Sequence, residues 1–201
     1  LLRVHGGALP FSPTVKPLSV RALMASDEKQ KLGRAAAKLV HSGQTIFIDG
    51  GTTNLELAKA LHPNLCGTVV THSPTIAAAL EVHANISVII IGGALFRHSM
   101  VALGAAALES INNMHFDTCF IGANGLHISE GLTTGDYEEA LFKRAVIARS
   151  AEVYSLITQD KLGTAAAQCI CKPMALPRIV SLKTTNSKFL KSLKPHPIWV
   201  R

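Results

Sequence analysis

Thr45-Ile46-Phe47-Ile48-Asp49-Gly50-Gly51-Thr52-Thr53-Asn54 is the stretch that decides the fold of this chain. A short apolar, β-branched run leads into two glycines. Hydroxyl and amide side chains follow, then the amphipathic segment Leu55-Glu56-Leu57-Ala58-Lys59-Ala60-Leu61. The periodicity changes across the glycines, which makes the stretch a strand, a tight turn and a helix. Glycines let a backbone come close to a ligand. The free N–H groups and the positive dipole end of the helix point at the same spot, where a phosphate or carboxylate fits. An ordinary strand-to-helix turn with a Thr or Asn cap uses the same residues, so this stretch alone leaves both open.

Working outward, the same alternation continues. Ser26-Asp27-Glu28 opens a helix whose apolar stripe is Leu32, Ala35, Ala36, Leu39 and Val40, and Ser42-Gly43 stops it. The pattern predicts strands over 45–49, 67–71 and 87–92, and helices over 54–61 and 74–83. A helix near 104–113, a strand over 116–122, a helix over 136–150 and a strand over 152–157 come next. Weaker strands are expected near 178–182 and 197–200. The strands are continuous β-branched runs such as Ser87-Val88-Ile89-Ile90-Ile91, the mark of parallel strands buried on both faces. Gly6-Gly7, Pro10, Pro13 and Pro17 predict irregular chain up to about residue 24. The stretch after Gly92-Gly93 and the segment 123–135 also read as loops. The fold class is α/β: an open, mainly parallel sheet with helices on both faces.

Composition narrows the function classes. With 201 residues and 48% hydrophobic but 5% aromatic content, the core must be built from Ala, Leu, Ile and Val. No apolar run approaches the roughly 18 residues that span a membrane, and the first residues carry no secretory h-region. The absence of an initiating Met predicts a fragment or processed form. The net charge of +7 is concentrated in the tail, at Lys172, Arg178, Lys183, Lys188, Lys191, Lys194 and Arg201. No basic helix with interleaved aromatics accompanies it, so direct nucleic-acid binding by this chain alone is not expected. Cys66, Cys119, Cys169 and Cys171 lack zinc-site spacing, and the nine histidines are scattered; no metal and no cofactor is expected. Free thiols point to a reducing, cytoplasmic compartment.

Ligands of open parallel sheets bind at the carboxyl ends of strands. Those ends read Asp49-Gly50-Gly51-Thr52-Thr53, Thr71-His72-Ser73, Gly92-Gly93, Gly122-Ala123-Asn124-Gly125 and Thr158-Gln159-Asp160-Lys161. Small and hydrogen-bonding residues converge with one lysine, which suits a small polyhydroxylated anion. Lys161 pairs a phosphate or is a plain surface lysine. Asp49 bonds sugar hydroxyls, braces the glycine turn, or does both. His72 is a ligand donor or a strand-end residue facing water. Glu139 and Lys143, spaced i, i+4, form a solvent-facing helix salt bridge, unless the helix start faces the cleft, where Asp136 or Glu139 would accept hydroxyls.

Taken in order, these segments resemble the C-terminal effector-binding domain of DeoR-type bacterial regulators of sugar metabolism. The resemblance runs from about residue 27 to residue 163. It is carried by Ile48 to Thr53, Val70 to Ser73, Ile91 to Gly93, Asp117 to Gly125, Gly131 to Thr134, Glu139 to Ala145, and Lys161-Leu162-Gly163. Arg3-Val4-His5-Gly6-Gly7-Ala8 looks like the end of the family's winged helix-turn-helix domain. The implied organisation is a remnant of that domain and a linker over 1–24, then a sensor domain over 25–201. The resemblance implies a fold like ribose-5-phosphate isomerase, glucosamine-6-phosphate deaminase and the CoA transferases. It also implies a phosphorylated sugar as effector, DNA binding through the missing N-terminal domain, and a homo-oligomer, dimer or tetramer. The implied pocket residues are Gly50 to Thr53, Thr71 to Ser73, Gly92, Gly93, Asn124, Gly125, Glu139 or Lys143, and Lys161. Two features depart from the family pattern: His72 stands where Asn is usual, and Asp160 sits directly before Lys161, where it would neutralise the lysine. A phosphosugar isomerase or deaminase is the alternative function, and a pure oligomerisation module with a degenerate pocket a third.

Overall fold

The computed structural model describes residues 2–4, 7–9, 16–183 and 198–200, with side chains for 16–183. Seven parallel strands form the central sheet. In chain order they are β3 (Thr45–Ile48), β4 (Gly67–Thr71), β5 (Ile86–Ile90), β8 (Phe116–Phe120), β11 (Ser150–Leu156), β13 (Arg178–Leu182) and β14 (Ile198–Val200). Their spatial order is β14-β13-β11-β8-β3-β4-β5. From β3 the chain steps outward through β4 to β5, then returns to lay β8 on the other side of β3. The strand order therefore reverses between β3 and β8, and ligands of open α/β sheets bind at such a switch.

The helices are α1 (Leu18–Leu23), α2 (Ser26–Ala37), α3 (Thr52–Lys59), α4 (Pro74–Ala79), α5 (Ala105–Asn112) and α6 (Tyr137–Ala148). Successive side chains of β3 point to opposite faces. Ile46 and Ile48 enter a core built with Leu32 of α2, Leu57 of α3 and Ile76 of α4. Phe47 enters a second core with Ile111 of α5 and Phe142 of α6. Helices thus cover both faces, as the alternation of elements predicts. Gly33 sets the spacing of α2 and α3: a Cβ there would lie 2.5 Å from the Glu56 carbonyl carbon and 2.7 Å from the Leu57 nitrogen. Gly33→Ala is expected to destabilise by about 1–3 kcal/mol in chemical denaturation, although alanine is the better helix former.

Several expectations need correction. The segment before residue 24 is not uniformly irregular: it holds α1 and an antiparallel pair, β1 (Leu2–Val4) and β2 (Gly7–Leu9). The stretch after Gly93 forms a hairpin of β6 (Ala94–Phe96) and β7 (Val101–Leu103). The supposed loop over 123–135 contains β9 (Gly125–His127) and β10 (Gly131–Thr134), which join β12 (Gln168–Cys171) in a second, antiparallel sheet. All these strands have three or four residues, too few for a period to show. β5 is not buried on both faces: it is an edge strand, with Val88, Ile89 and Ile90 exposed at 38%, 40% and 53%.

Candidate functional site

β3 ends at Ile48, and Asp49 follows directly at the switch point. Its side chain is fully buried. Oδ1 accepts from the Gly50 N–H at 2.8 Å and from His72 Nε2 at 2.8 Å. Oδ2 accepts from the Gly122 N–H at 2.7 Å and from Lys143 Nζ at 2.7 Å. Four donors saturate the carboxylate. Burial pushes its pKa up, but the Lys143 ammonium and the His72 bond outweigh that and hold it well below the usual carboxylate range. Burial likewise lowers the Lys143 pKa, and the Asp49 and Glu139 charges more than restore it, leaving a raised value.

Asn54 ties the same corner, its Nδ2 donating to the carbonyls of Asp49 at 3.0 Å and Phe120 at 3.1 Å. Gly122 is obligatory because a Cβ would lie 2.9 Å from the Gly50 carbonyl oxygen and 3.2 Å from Asp49 Oδ2. His72 is neither exposed nor directed at a ligand. It is fully buried, and its Nδ1 meets the Ala102 carbonyl at 2.9 Å while Nε2 meets Asp49. The ring is thus held at both nitrogens by oxygen atoms, a backbone carbonyl on one side and the Asp49 carboxylate on the other. It stacks on Phe142 with centroids 4.2 Å apart and planes 2° from parallel.

Above this buried network lies a cleft that opens to solvent. Of the residues proposed from sequence, Asp49, Gly50, Gly51, Thr52, Thr53, Asn124, Glu139, Lys143 and Lys161 line it. Gly51 is the N-cap of α3, with φ 115° and no side-chain cap. The first N–H groups of α3 are left for another acceptor. Thr53 Oγ1 is buried and has no hydrogen-bond partner among the described residues. A neighbouring recess shares Arg21, Thr52 and Lys161 with the cleft. Thr158 Oγ1 there is also buried and without a described partner. Removal from water brings the Lys161 ammonium down to about 8, against partial support from Asp160. Asp160 does not neutralise it: the acid is exposed and makes no described ion pair with Lys161.

Other proposed residues stand elsewhere. Thr71 Oγ1 donates to the Ile48 carbonyl at 2.7 Å, and Ser73 Oγ to the Met100 carbonyl at 3.0 Å, so both brace the cleft floor. Gly92 and Gly93 are exposed and outside the cleft; Gly93 lets the chain pass the Leu103 carbonyl, 2.5 Å from a Cβ placed there. Gly125 makes a similar approach to Thr164, at 2.6 Å. Asp136 caps α6, its Oδ1 accepting from the Glu139 N–H at 2.9 Å, and does not line the cleft. Asp136→Ala is expected to cost about 1 kcal/mol in a denaturant melt, the ordinary worth of an N-cap. The expected solvent-facing Glu139–Lys143 pair is absent. Both side chains are buried, Lys143 reaches Asp49, and Glu139 Oε2 accepts from Thr134 Oγ1 at 2.7 Å.

Arg21, Asn54, Ser99, Val101, Gly122, Ala123 and Leu156 also line the cleft without having been singled out. Gly122 and Ala123 lie in a quoted strand-end motif, and Asn54 closes the stretch that decides the fold. Arg21 and Ser99 sit on segments that read as irregular. Cys119 is buried, and burial pushes its thiol up to about 12, which leaves it inert. Among the described residues no group of His, Cys, Asp and Glu is arranged to hold a metal ion.

The sequence of these elements is shared. A family model described as the DeoR C terminal sensor domain matches residues 24–181. The chain belongs to the DeoR sensor-domain family. The sensor domain is 33% identical over 193 residues to the transcriptional regulator GolR of Listeria innocua, covering 95% of this chain and 74% of that protein. It is 32% identical over 193 residues to the repressor GlcR of Bacillus subtilis, covering 94% and 73%. The glycerol-3-phosphate regulon repressor of Escherichia coli is 34% identical over 166 residues, covering 81% and 65%. Among solved structures, a ribose-5-phosphate isomerase in complex with phospho-erythronic acid superposes with TM-score 0.50 at 15% identity, over 68% of this chain and 54% of that one. The eIF2B delta subunit of Chaetomium thermophilum does so with TM-score 0.50 at 15% identity, over 72% and 52%. At that identity these two establish the fold and nothing further.

Proposed function

We propose that this sensor domain binds a phosphorylated sugar or sugar derivative in the cleft at the β3/β8 switch point, and that binding controls the DNA affinity of an N-terminal domain largely outside this chain. One observation carries the reading: the uncapped N-terminus of α3 and the Lys161 ammonium face one cleft. Thr53, which lines the same cleft, also carries a buried hydroxyl with no described partner. All three suit a phosphate. Glu139, which also lines the cleft, supplies an acceptor for sugar hydroxyls.

The same geometry speaks against an isomerase. A general base needs a carboxylate whose lone pairs are free and whose pKa is near the working pH. Asp49 has neither property, being saturated by four donors and held at low pKa. The relatives reported above are named as regulators and repressors, which favours the same choice. Incubation with ribose 5-phosphate is expected to give no ketose product, and turnover abolished by Asp49→Asn or Glu139→Gln would reverse the assignment. Binding is tested by calorimetric titration with a panel of phosphosugars and their unphosphorylated parents. A regulator of this kind works in the cytoplasm.

We infer that the domain also self-associates, because the edge strand β5 exposes Val88, Ile89 and Ile90 together and such edges are normally covered. Sedimentation should show a dimer or tetramer that Ile89→Lys weakens; a monomer at all concentrations would remove this part of the proposal. No described helix is long and apolar enough to cross a membrane.

A further inference from the structure

The short helix α1 is weakly anchored by packing. None of its residues is buried, and Leu23 is 86% exposed. Polar bonds hold it instead. The Leu18 N–H donates to the His98 carbonyl at 3.2 Å, and Arg21 Nη2 donates to the same oxygen at 3.4 Å. Lys29 Nζ donates to the carbonyls of Arg21 and Met24. Ala25 then turns the chain into α2 with a left-handed φ of 49°, a conformation that costs a non-glycine residue energy.

Despite this loose seat, Arg21 lines both the cleft and its neighbouring recess, as do Thr52 and Lys161. The guanidinium bonds only to carbonyl oxygens, those of Lys16 and His98. Neither Arg21 nor Lys161 makes an ion pair with a carboxylate among the described residues: Asp49 is committed to Lys143 and His72, and Glu139 and Asp160 act on Arg21 and Lys161 only as nearby charges. Two cations therefore meet at the junction of cleft and recess, where Lys29 adds a third positive charge and the Asp160 and Glu139 carboxylates offset part of it. Thr53, which lines the cleft, and Thr158, which lines the recess, each bury a hydroxyl without a described partner. Repelling cations and partnerless donors around one space call for an anion with several acceptor oxygens. A guanidinium fork meets such a group with two parallel bonds.

We propose that Arg21 binds the effector's anionic group together with Lys161 and the N-terminus of α3, so that occupancy pins α1 across the cleft. This rests on reading the cleft as the anion site. Arg21 precedes the residues 24–181 that match the family model, on the segment by which the chain enters the domain. An anion gripped from both sides has higher affinity for the state with α1 seated, and that differential affinity is what shifts the position of the preceding segment.

Inorganic phosphate is the probe. It is titrated into the isotope-labelled chain, the amides of Gly51, Thr52 and Thr53 are followed by NMR, and tryptic cleavage after Arg21 is timed in parallel. Phosphate should shift those amides and slow cleavage of the Arg21–Ala22 bond. Arg21→Gln should weaken the affinity about tenfold, the loss of one charged hydrogen-bonding group, and Arg21→Lys should recover part of it. Since no residue of α1 is fully buried, both variants should keep the wild-type circular dichroism. Equal affinity in wild type and Arg21→Gln, with cleavage unchanged by phosphate, overturns the role of Arg21 and leaves the cleft as an anion site. No amide shift in the wild type overturns both.

Discussion

Asp49→Asn is expected to lower the thermal midpoint by roughly 6–20 °C. The amide cannot satisfy the site in either orientation. Its NH₂ must face the Gly50 N–H and the His72 ring or the Gly122 N–H and the Lys143 ammonium, donor against donor. It also leaves the Lys143 charge without its buried counter-ion. Breaking one partner of a buried ion pair costs about 3–5 kcal/mol, and in a domain of this size each kcal/mol moves the midpoint by roughly 2–4 °C. Asp49→Leu combined with Lys143→Met should cost clearly less than the sum of the two single changes, because the buried Asp49–Lys143 ion pair is then removed whole and neither of its members is left alone.

The pH dependence has a definite sign. The folded pKa of Asp49 lies below its ordinary value of 3.8, so its stabilisation is complete above that value and is lost as the pH falls below it. The folded pKa of Lys143 lies above 10.5, so its share persists up to that pH and is lost beyond. A midpoint change under about 2 °C for Asp49→Asn would mean that the network does not hold the switch point together.

Lys161→Met is expected to weaken binding of a phosphorylated effector by roughly 10- to 150-fold, the worth of a hydrogen bond to a charged group of about 1.5–3 kcal/mol. The wild-type protein should show a pH signature that this variant lacks. In the empty cleft the ammonium titrates at about 8, against an ordinary 10.5, through removal from water and the nearby Arg21, Lys29 and Lys143 charges, with Asp160 opposing. Between those two values the unfolded chain holds the proton and the folded chain does not, so this residue favours folding more as the pH rises through that window. A bound phosphate favours the ammonium and reverses the preference. Binding should therefore take up a proton near pH 8–9 and weaken above it, and calorimetry in buffers of different ionisation enthalpy reads that uptake directly. Equal pH profiles for wild type and Lys161→Met would remove Lys161 from the site.

How far the sequence carried depended on how much chain each feature occupies. The β3–turn–α3 unit was legible because a strand period, two glycines and a helix period stand in succession there. The flanking parallel strands followed from their uninterrupted β-branched runs. The small antiparallel sheet and α1 were not legible, since three residues of β9 or six of α1 fix no period. In the site, the residues of the glycine turn were found because their backbone is what faces the cleft. His72 was misplaced because a strand-end histidine carries no sign of burial. Only the fold brings the Ala102 carbonyl and Asp49 to its two nitrogens. Lys143 was visible as half of an i, i+4 pair, yet its true partner is 94 residues earlier in the chain. Arg21 had no signal, because a lone arginine in a proline-punctuated segment looks like linker.

The central claim is that the β3/β8 switch point holds the phosphate of an effector. A crystal structure of the domain with a phosphosugar identified by titration tests it most directly. The account predicts the phosphate against the N–H groups of Thr52 and Thr53 with Lys161 in contact, and a sugar hydroxyl on Glu139. Phosphate density at any other part of the molecule, with this cleft left to solvent, would contradict it.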